Sequence, residues 1–372
     1  MFIFNLLLFL IALSLLIFIH ELGHFLFAKL FKVYCMEFSL GMGPAIFSKK
    51  FKKDKETTYS LRWLPIGGYV AMAGEIEGDE QEKALEIPYE RTINGIKAWK
   101  RAIVVVAGVT FNFIFAIILL CIFTFGYGVD SEDNRLTIDK DSIAYEAGIR
   151  TGDKIVSVSS NIIKENGVIK YSGCIEQSCE VNTVSELVEI ANDVAPNAGG
   201  KTQELTINYY SNNELVSKTL IRGFDNETDK AQVYGISPYL VTPGFFEGLK
   251  ITFQRFGEII VLMFQAIGSL FTKEGLNQVG GPVQVYSVSA QMASDGFLSY
   301  IWFLAIISVN LGFFNLLPIP GLDGARFYLS LGESITNKKF NTKIESYINM
   351  VGMFFLFGLM ILVTIKDVFM LF

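Results

Sequence analysis

The chain has 372 residues, 51% of them hydrophobic, and a formal net charge of −6. Its mean hydropathy of +0.41 excludes an ordinary soluble protein and puts much of the chain in lipid. The mild negative charge argues against a nucleic-acid partner, and four cysteines are too few for a disulfide scaffold and lack zinc-cluster spacing.

In chain order, residues Phe2–Ile19 are apolar except for Asn5 and Ser14, about 27 Å of helix at 1.5 Å per residue. The first lysine is Lys29 and no small-residue cleavage site precedes it, so this is a retained transmembrane helix and not a signal peptide. The span runs without a turn into His20-Glu21-Leu22-Gly23-His24, which holds both histidines of the chain. Residues four apart share a helix face, so both imidazoles can turn a nitrogen to one metal ion. Glu21, about 100° round the helix, can reach a water there, and Gly23 leaves room for a close backbone. The plainer reading, polar core residues with no metal, is poor at membrane depth, where a charge costs roughly 2.5 kcal/mol or more. A catalytic zinc takes three protein ligands. With no third histidine, the remaining ligand is a carboxylate or a thiolate, and Cys35, Cys121, Cys174 and Cys179 are poorly placed for it.

Residues 33–75 mix β-formers with Gly and Pro and read as short strands and hairpins that dip toward the membrane beside the first span. A second span follows at Ala102–Tyr127. Residues 128–225 read as a small soluble domain, with strands at "TINYY" and "ELVSKTLI" and a helix at Thr183–Ala195 opened by a Thr183/Glu186 capping box. Lys250, Arg255 and Glu258 interrupt residues 245–271, which favours an amphipathic helix on the membrane surface over a fifth span. The third span, Phe297–Leu317, meets Pro318, Pro320 and Gly321, which stop a helix. Asp323 follows at the depth of the histidines and is the candidate third ligand; an ordinary cytoplasmic turn with a surface Asp is the alternative. A fourth span covers Tyr347–Ile365. Thirteen Lys/Arg residues between Lys29 and Arg101 make that loop cytoplasmic and put the N-terminus outside. The stretch 128–230, with eighteen acidic against ten basic residues, then also lies outside.

Together "HELGHF" (His20–Phe25), "FSLGMGP" (Phe38–Pro44), "LPIGGYVAMAGE" (Leu64–Glu75), "NFIFA" (Asn112–Ala116), "GGPVQV" (Gly280–Val285) and "FNLLPIPGLDG" (Phe314–Gly324) resemble the site-2 protease family of intramembrane zinc metalloproteases, and more narrowly the bacterial regulator-of-sigma-E protease group. The resemblance implies Zn2+ held by His20, His24 and Asp323, with Glu21 as general base. It implies that the stretch around Gly67, Gly68 and Tyr69 lies beside the site and holds unwound substrate by strand addition, and that Asn315, Pro318 and Pro320 handle substrate. Asn112 is expected to make an interhelical hydrogen bond. The resemblance also implies a PDZ domain carried by "AYEAGIRTGDKIVSVSS", although the segment after its strand is longer than usual and no carboxylate-binding Gly loop is evident. Cys174 and Cys179 form a local disulfide or remain two free thiols.

The expected fold is a polytopic α-helical membrane protein of about four transmembrane helices, with membrane-associated β-hairpins and one inserted extracytoplasmic PDZ-like (α+β) domain. Its parts are 1–31 (first span), 32–100 (hairpin region), 101–127 (second span), 128–225 (PDZ-like domain), 226–296 (linker with the amphipathic helix), 297–324 (third span) and 347–367 (fourth span). The expected location is a bacterial cytoplasmic membrane, with the active site near the cytoplasmic side. The expected substrates are pre-trimmed single-span membrane proteins, such as anti-sigma factors, or remnant signal peptides. The competing readings are another class of membrane zinc protease and an inactive membrane-anchored PDZ adaptor.

Overall fold

The computed structural model describes residues 2–52, 54–75, 85–131, 134–164, 167–169, 179–180, 184, 187, 202–223, 234–269, 272 and 280–369. The Thr183/Glu186 capping box and Cys174 lie outside the described residues. The chain divides into two units, Met1–Thr124 with Phe245–Phe372, and Phe125–Gly244.

The first unit is built on helix α1 (Phe2–Leu30), a pair of strands, β1 (Cys35–Phe51) and β2 (Asp54–Met72), and helix α2 (Ala98–Tyr127). The hydrophobic effect does not drive helices together in lipid, so close packing must. Small residues supply it: Ala12 of α1 and Ala116 of α2 are buried in one cluster, and a Cβ on Gly23 would collide with the backbone of Ala107. Instead of several short hairpins, residues 33–75 form two long strands, each bent back on itself. Residues 35–40 of β1 pair with 68–72 of β2 on one side and with 58–61 on the other, and residues 45–50 lie outside 58–62. Gly41 and Gly67, at φ of +85° and +76°, supply the bends. The bend of β2 lies along α1, where Ser14 Oγ donates to the Pro65 carbonyl. Phe25 of α1 stacks on Phe38 of β1 with ring centroids 4.7 Å apart.

The second unit has its own core of Leu136, Ile149, Ile155, Val158, Leu205, Ile207 and Leu220. Two short pairs join β3 (Val129–Asp130) to β11 (Leu240–Val241) and β4 (Leu136–Ile138) to β10 (Ile236–Pro238). A one-turn helix, α3 (Ile143–Glu146), is capped by Ser142, whose Oγ accepts from the Tyr145 N–H. The main sheet runs in the order β6 (Gly167–Ile169), β5 (Lys154–Lys164), β8 (Thr202–Ser211), β9 (Glu214–Gly223), and β7 (Cys179–Glu180) also pairs with β5. In the Gly-Ile-x-x-Gly-Asp turn ahead of β5, Asp153 Oδ2 accepts from the Arg150 N–H. Among its described residues the unit combines these strands with the short helix α3.

The first unit resumes with α4 (Phe245–Ser269), α5 (Pro282–Asp295), α6 (Phe297–Leu316), α7 (Asp323–Thr336) and α8 (Thr342–Phe369). Among the described residues five helices, α1, α2, α4, α6 and α8, are long and apolar enough to cross a membrane, against the four expected. The additional candidate is α4. Its Arg255 is not left facing lipid alone: a guanidinium nitrogen donates to Thr124 Oγ1 at 2.9 Å and the group lies over the Phe123 ring. Ile259 packs into the cluster of Leu16, Leu120 and Leu304. Helix α6 ends at Leu316 because Leu317, ahead of Pro318, is extended (ψ 147°). The chain restarts as α7 at Asp323, and Gly324 permits this tight turn, since a Cβ there would strike the Leu316 and Leu317 carbonyls.

The "GGPVQV" stretch opens α5. Pro282 stands in its first turn, and buried Asp367 at the end of α8 accepts from the Gly281 N–H (2.9 Å) and the Gln284 N–H (3.1 Å). A carboxylate from 86 residues away thus caps the helix.

Candidate metal centre

The helical spacing of His20 and His24 brings their rings to 4.7 Å between centroids on one face of α1, both buried. The break after α6 delivers Asp323 to that face. Its Oδ2 lies 2.8 Å from His20 Nε2 and 3.1 Å from His24 Nε2, and the two Nε2 atoms are 3.1 Å apart. These three groups are the set among the described His, Cys, Asp and Glu residues that is close enough to hold a metal ion. Zinc bonded tetrahedrally at about 2.0–2.1 Å would space such atoms at about 3.3 Å, so the triangle needs only to open slightly.

The remaining ring nitrogens are also engaged. His24 Nδ1 donates to the Val104 carbonyl at 2.9 Å, which leaves the Nε2 lone pair aimed at the triangle. His20 Nδ1 lies 3.0 Å from the Asn112 side-chain amide. Cys35 does not compete for a metal: it is buried, and burial pushes its thiol up to about 12.

Glu21 Oε2 accepts from the Val70 N–H of β2 at 3.2 Å. This carboxylate, His20, His24 and Asp323 line one cavity of about 270 Å3, with Ile17, Val70, Met72, Leu311 and Asn315 as further walls. Asn315 therefore lines the same cavity as the histidines. Gly67, Gly68 and Tyr69 do not line the cavity; their neighbours Val70 and Met72 do. Gly68 is pressed against the Ser39 carbonyl and the Tyr69 hydroxyl donates to Glu37, which turns these residues toward β1. Pro318 and Pro320 act through the backbone, ending α6, and Pro320 packs against Gly352 of α8.

The sequence reading missed the ion pair of Glu75 with Arg326, 2.7 Å apart at the cavity wall. Beyond it lies a second cavity of about 760 Å3, lined also by Tyr347, Met350 and Met353 of α8. A cation one turn after Asp323 was the available signal. Val104, Gly108 and Asn112, spaced four apart on α2, were missed as a group for the histidines.

Apolar helices that bury a His-Glu-x-x-His pair against a carboxylate from a helix break have the build of a membrane metalloprotease. Comparison with known proteins gives the family: the profile of peptidase family M50 matches residues 8–359, and the chain belongs to that family, the site-2 proteases, whose metal is zinc. The chain is 34% identical over 362 residues to a Clostridium perfringens chain named provisionally as a zinc metalloprotease, covering 96% of this chain and 97% of that one. It is 28% identical over 443 residues to the regulator of sigma-W protease of Bacillus subtilis, covering 99% of each. It is also 28% identical over 442 residues to an Enterococcus faecalis protein named a probable protease, covering 97% of each.

Proposed function

We propose that His20, His24 and Asp323 hold the zinc, that Glu21 is the general base, and that the enzyme cuts peptide bonds within the transmembrane segments of single-span proteins. The convergence of the three ligand atoms on one point carries the ligand assignment. When bound, zinc supplies Lewis acidity toward a carbonyl and makes a water easier to deprotonate.

Glu21 takes the proton from the attacking water as the new C–O bond forms, then gives it to the leaving amine as the C–N bond breaks. The Val70 N–H holds the Glu21 carboxylate toward the cavity meanwhile. A transmembrane helix hides its carbonyls in i→i−4 bonds, so the substrate segment must unwind before water can attack. Residues 68–72, on the outside of the paired segments and bordering the cavity through Val70 and Met72, offer an extended backbone to receive it.

The lysine- and arginine-rich stretch from Lys29 to Arg101 supports a cytoplasmic location for that loop and for the metal centre. The same rule puts the N-terminus and the second unit outside the cytoplasm, and the Gly-Ile-x-x-Gly-Asp turn supports a PDZ-like reading of that unit. The name of the Bacillus relative, a regulator of sigma-W protease, supports membrane-bound regulators of a sigma factor as one substrate class; remnant signal peptides are the other class that the resemblance implies. Mass spectrometry of membrane peptides in cells carrying Glu21→Gln tests this. Single-span fragments already trimmed outside should accumulate; an unchanged membrane peptidome would contradict it.

A further inference from the structure

We propose that Asn112 is a positioning residue that sets the tautomer of His20 by turning its side-chain amide. The inference rests on the zinc reading of His20. Asn112 is fully buried in α2, and its Nδ2 lies 3.0 Å from His20 Nδ1, while Oδ1 is buried with no hydrogen-bond partner among the described residues. In either orientation one end of the amide meets His20 Nδ1 and the other has no partner, at a cost of about 1–3 kcal/mol, so neither orientation is locked by a second hydrogen bond.

A neutral imidazole carries one proton. With Asn112 Nδ2 donating to Nδ1, that proton sits on Nε2 and points at Asp323 Oδ2, 2.8 Å away. The nitrogen that faces the metal triangle is then blocked. A half-turn of the amide exchanges its two ends, so that Oδ1 accepts from an Nδ1–H and the Nε2 lone pair is freed. The Nε2 proton passes to Asp323 Oδ2 and out to water through the cavity, and Nδ1 takes one proton from water in exchange, so the ring charge does not change.

The rest of the α2 face fits this role. Val104, Gly108 and Asn112 stand one turn apart on the same side of the helix. Val104 holds the Nδ1–H of His24 through its carbonyl. A Cβ on Gly108 would stand 2.7 Å from His24 Cε1 and 2.8 Å from His20 Cε1. The helix thus gives one ring a fixed acceptor, leaves space for both, and gives the other ring an amide that serves as donor or acceptor. An interhelical hydrogen bond made only for packing would need none of this matching.

The test uses the untagged full-length protein in detergent micelles, with zinc titrated against a competing chelator. Asn112→Leu, close in volume but unable to accept, should weaken zinc binding about 10–100-fold. Asn112→Asp, which keeps an acceptor, should bind zinc at least as tightly as the parent chain. Parent-like affinity in Asn112→Leu, or equal weakening in both variants, would overturn the proposal. A second measurement needs no variant. The chain has two histidines, so 15N-histidine labelling shows two rings. His20 should carry its proton on Nε2 without metal and on Nδ1 with zinc; the same tautomer in both states would overturn the amide turn.

Discussion

Helix α1 carries His20 and His24 along its length and Lys29 in its last turn, and the two sites meet their partners differently. Lys29 Nζ reaches Asp54 Oδ1 at 3.0 Å and Glu56 Oε2 at 3.5 Å, and Arg91 grips Glu56 through two contacts of 2.8 Å. Two cations face two anions there, and Thr57 and Tyr59 add hydrogen bonds to Lys29 and Asp54. That cluster is electrically complete and ties the hairpin to the end of the helix. The cluster around His20 and His24 instead gathers two imidazoles and a carboxylate with no paired cation of its own, since the nearby Arg326 is taken by Glu75. Only a proton or a metal ion can be shared at its centre. Buried polar groups are costly unless fully satisfied, which fits the proposed metal site at the histidine cluster and a structural joint at the other.

The contrast breaks most sharply at Glu21, which borders the histidine cluster without joining it. Glu21→Gln should keep zinc at about one per chain and slow peptide cleavage roughly 10²–10⁴-fold. Parent-like turnover of a single-span substrate would contradict the role. Asp323→Ala removes one member of the triangle and should weaken zinc by at least about 100-fold in a chelator competition. Gly108→Ala puts a methyl group between the rings and should weaken zinc about 10-fold with the chain still folded, measured in the same way.

At the complete cluster, charge changes should alter stability and leave zinc alone. Burial would raise the Asp54 carboxyl, but hydrogen bonds from Lys29, the Thr57 N–H and Tyr59 overcome it and hold the group at about 2, against an ordinary 3.8. A lowered folded-state pKa means that this stabilisation is complete above about pH 4 and is lost as the pH falls toward 2. Asp54→Asn should flatten that acid limb of the thermal midpoint in detergent; parallel limbs would count against the joint. Cys35→Ala should have the smallest effect, with zinc content unchanged.

The His-Glu-x-x-His spacing and the proline stop after α6 were legible because each is a local rule: helical period brings the histidines together, and a missing N–H ends a helix. The proposed third ligand, Asp323, was legible from two things together: the chain has no third histidine, and the proline stop puts a carboxylate at the depth of the first two. Features that rest on distant partners were not legible. Arg255 reads as an unpartnered charge in an apolar run until Thr124 and Phe123 are seen beside it. The double pairing of residues 35–40 depends on bends in two strands at once. Asp367 shows no motif, because the N–H groups that it caps lie 83 and 86 residues away. Asn112 reads as packing until its amide nitrogen is found next to His20 with the amide oxygen left without a partner.

The most direct test of the metal centre is zinc K-edge X-ray absorption on the purified Asp323→Cys variant beside the parent protein. If Asp323 is the third ligand, the parent shows only nitrogen and oxygen neighbours at about 2.0–2.2 Å, and the variant gains one sulfur at about 2.3 Å. Zinc retained in the variant with no sulfur neighbour would contradict the assignment.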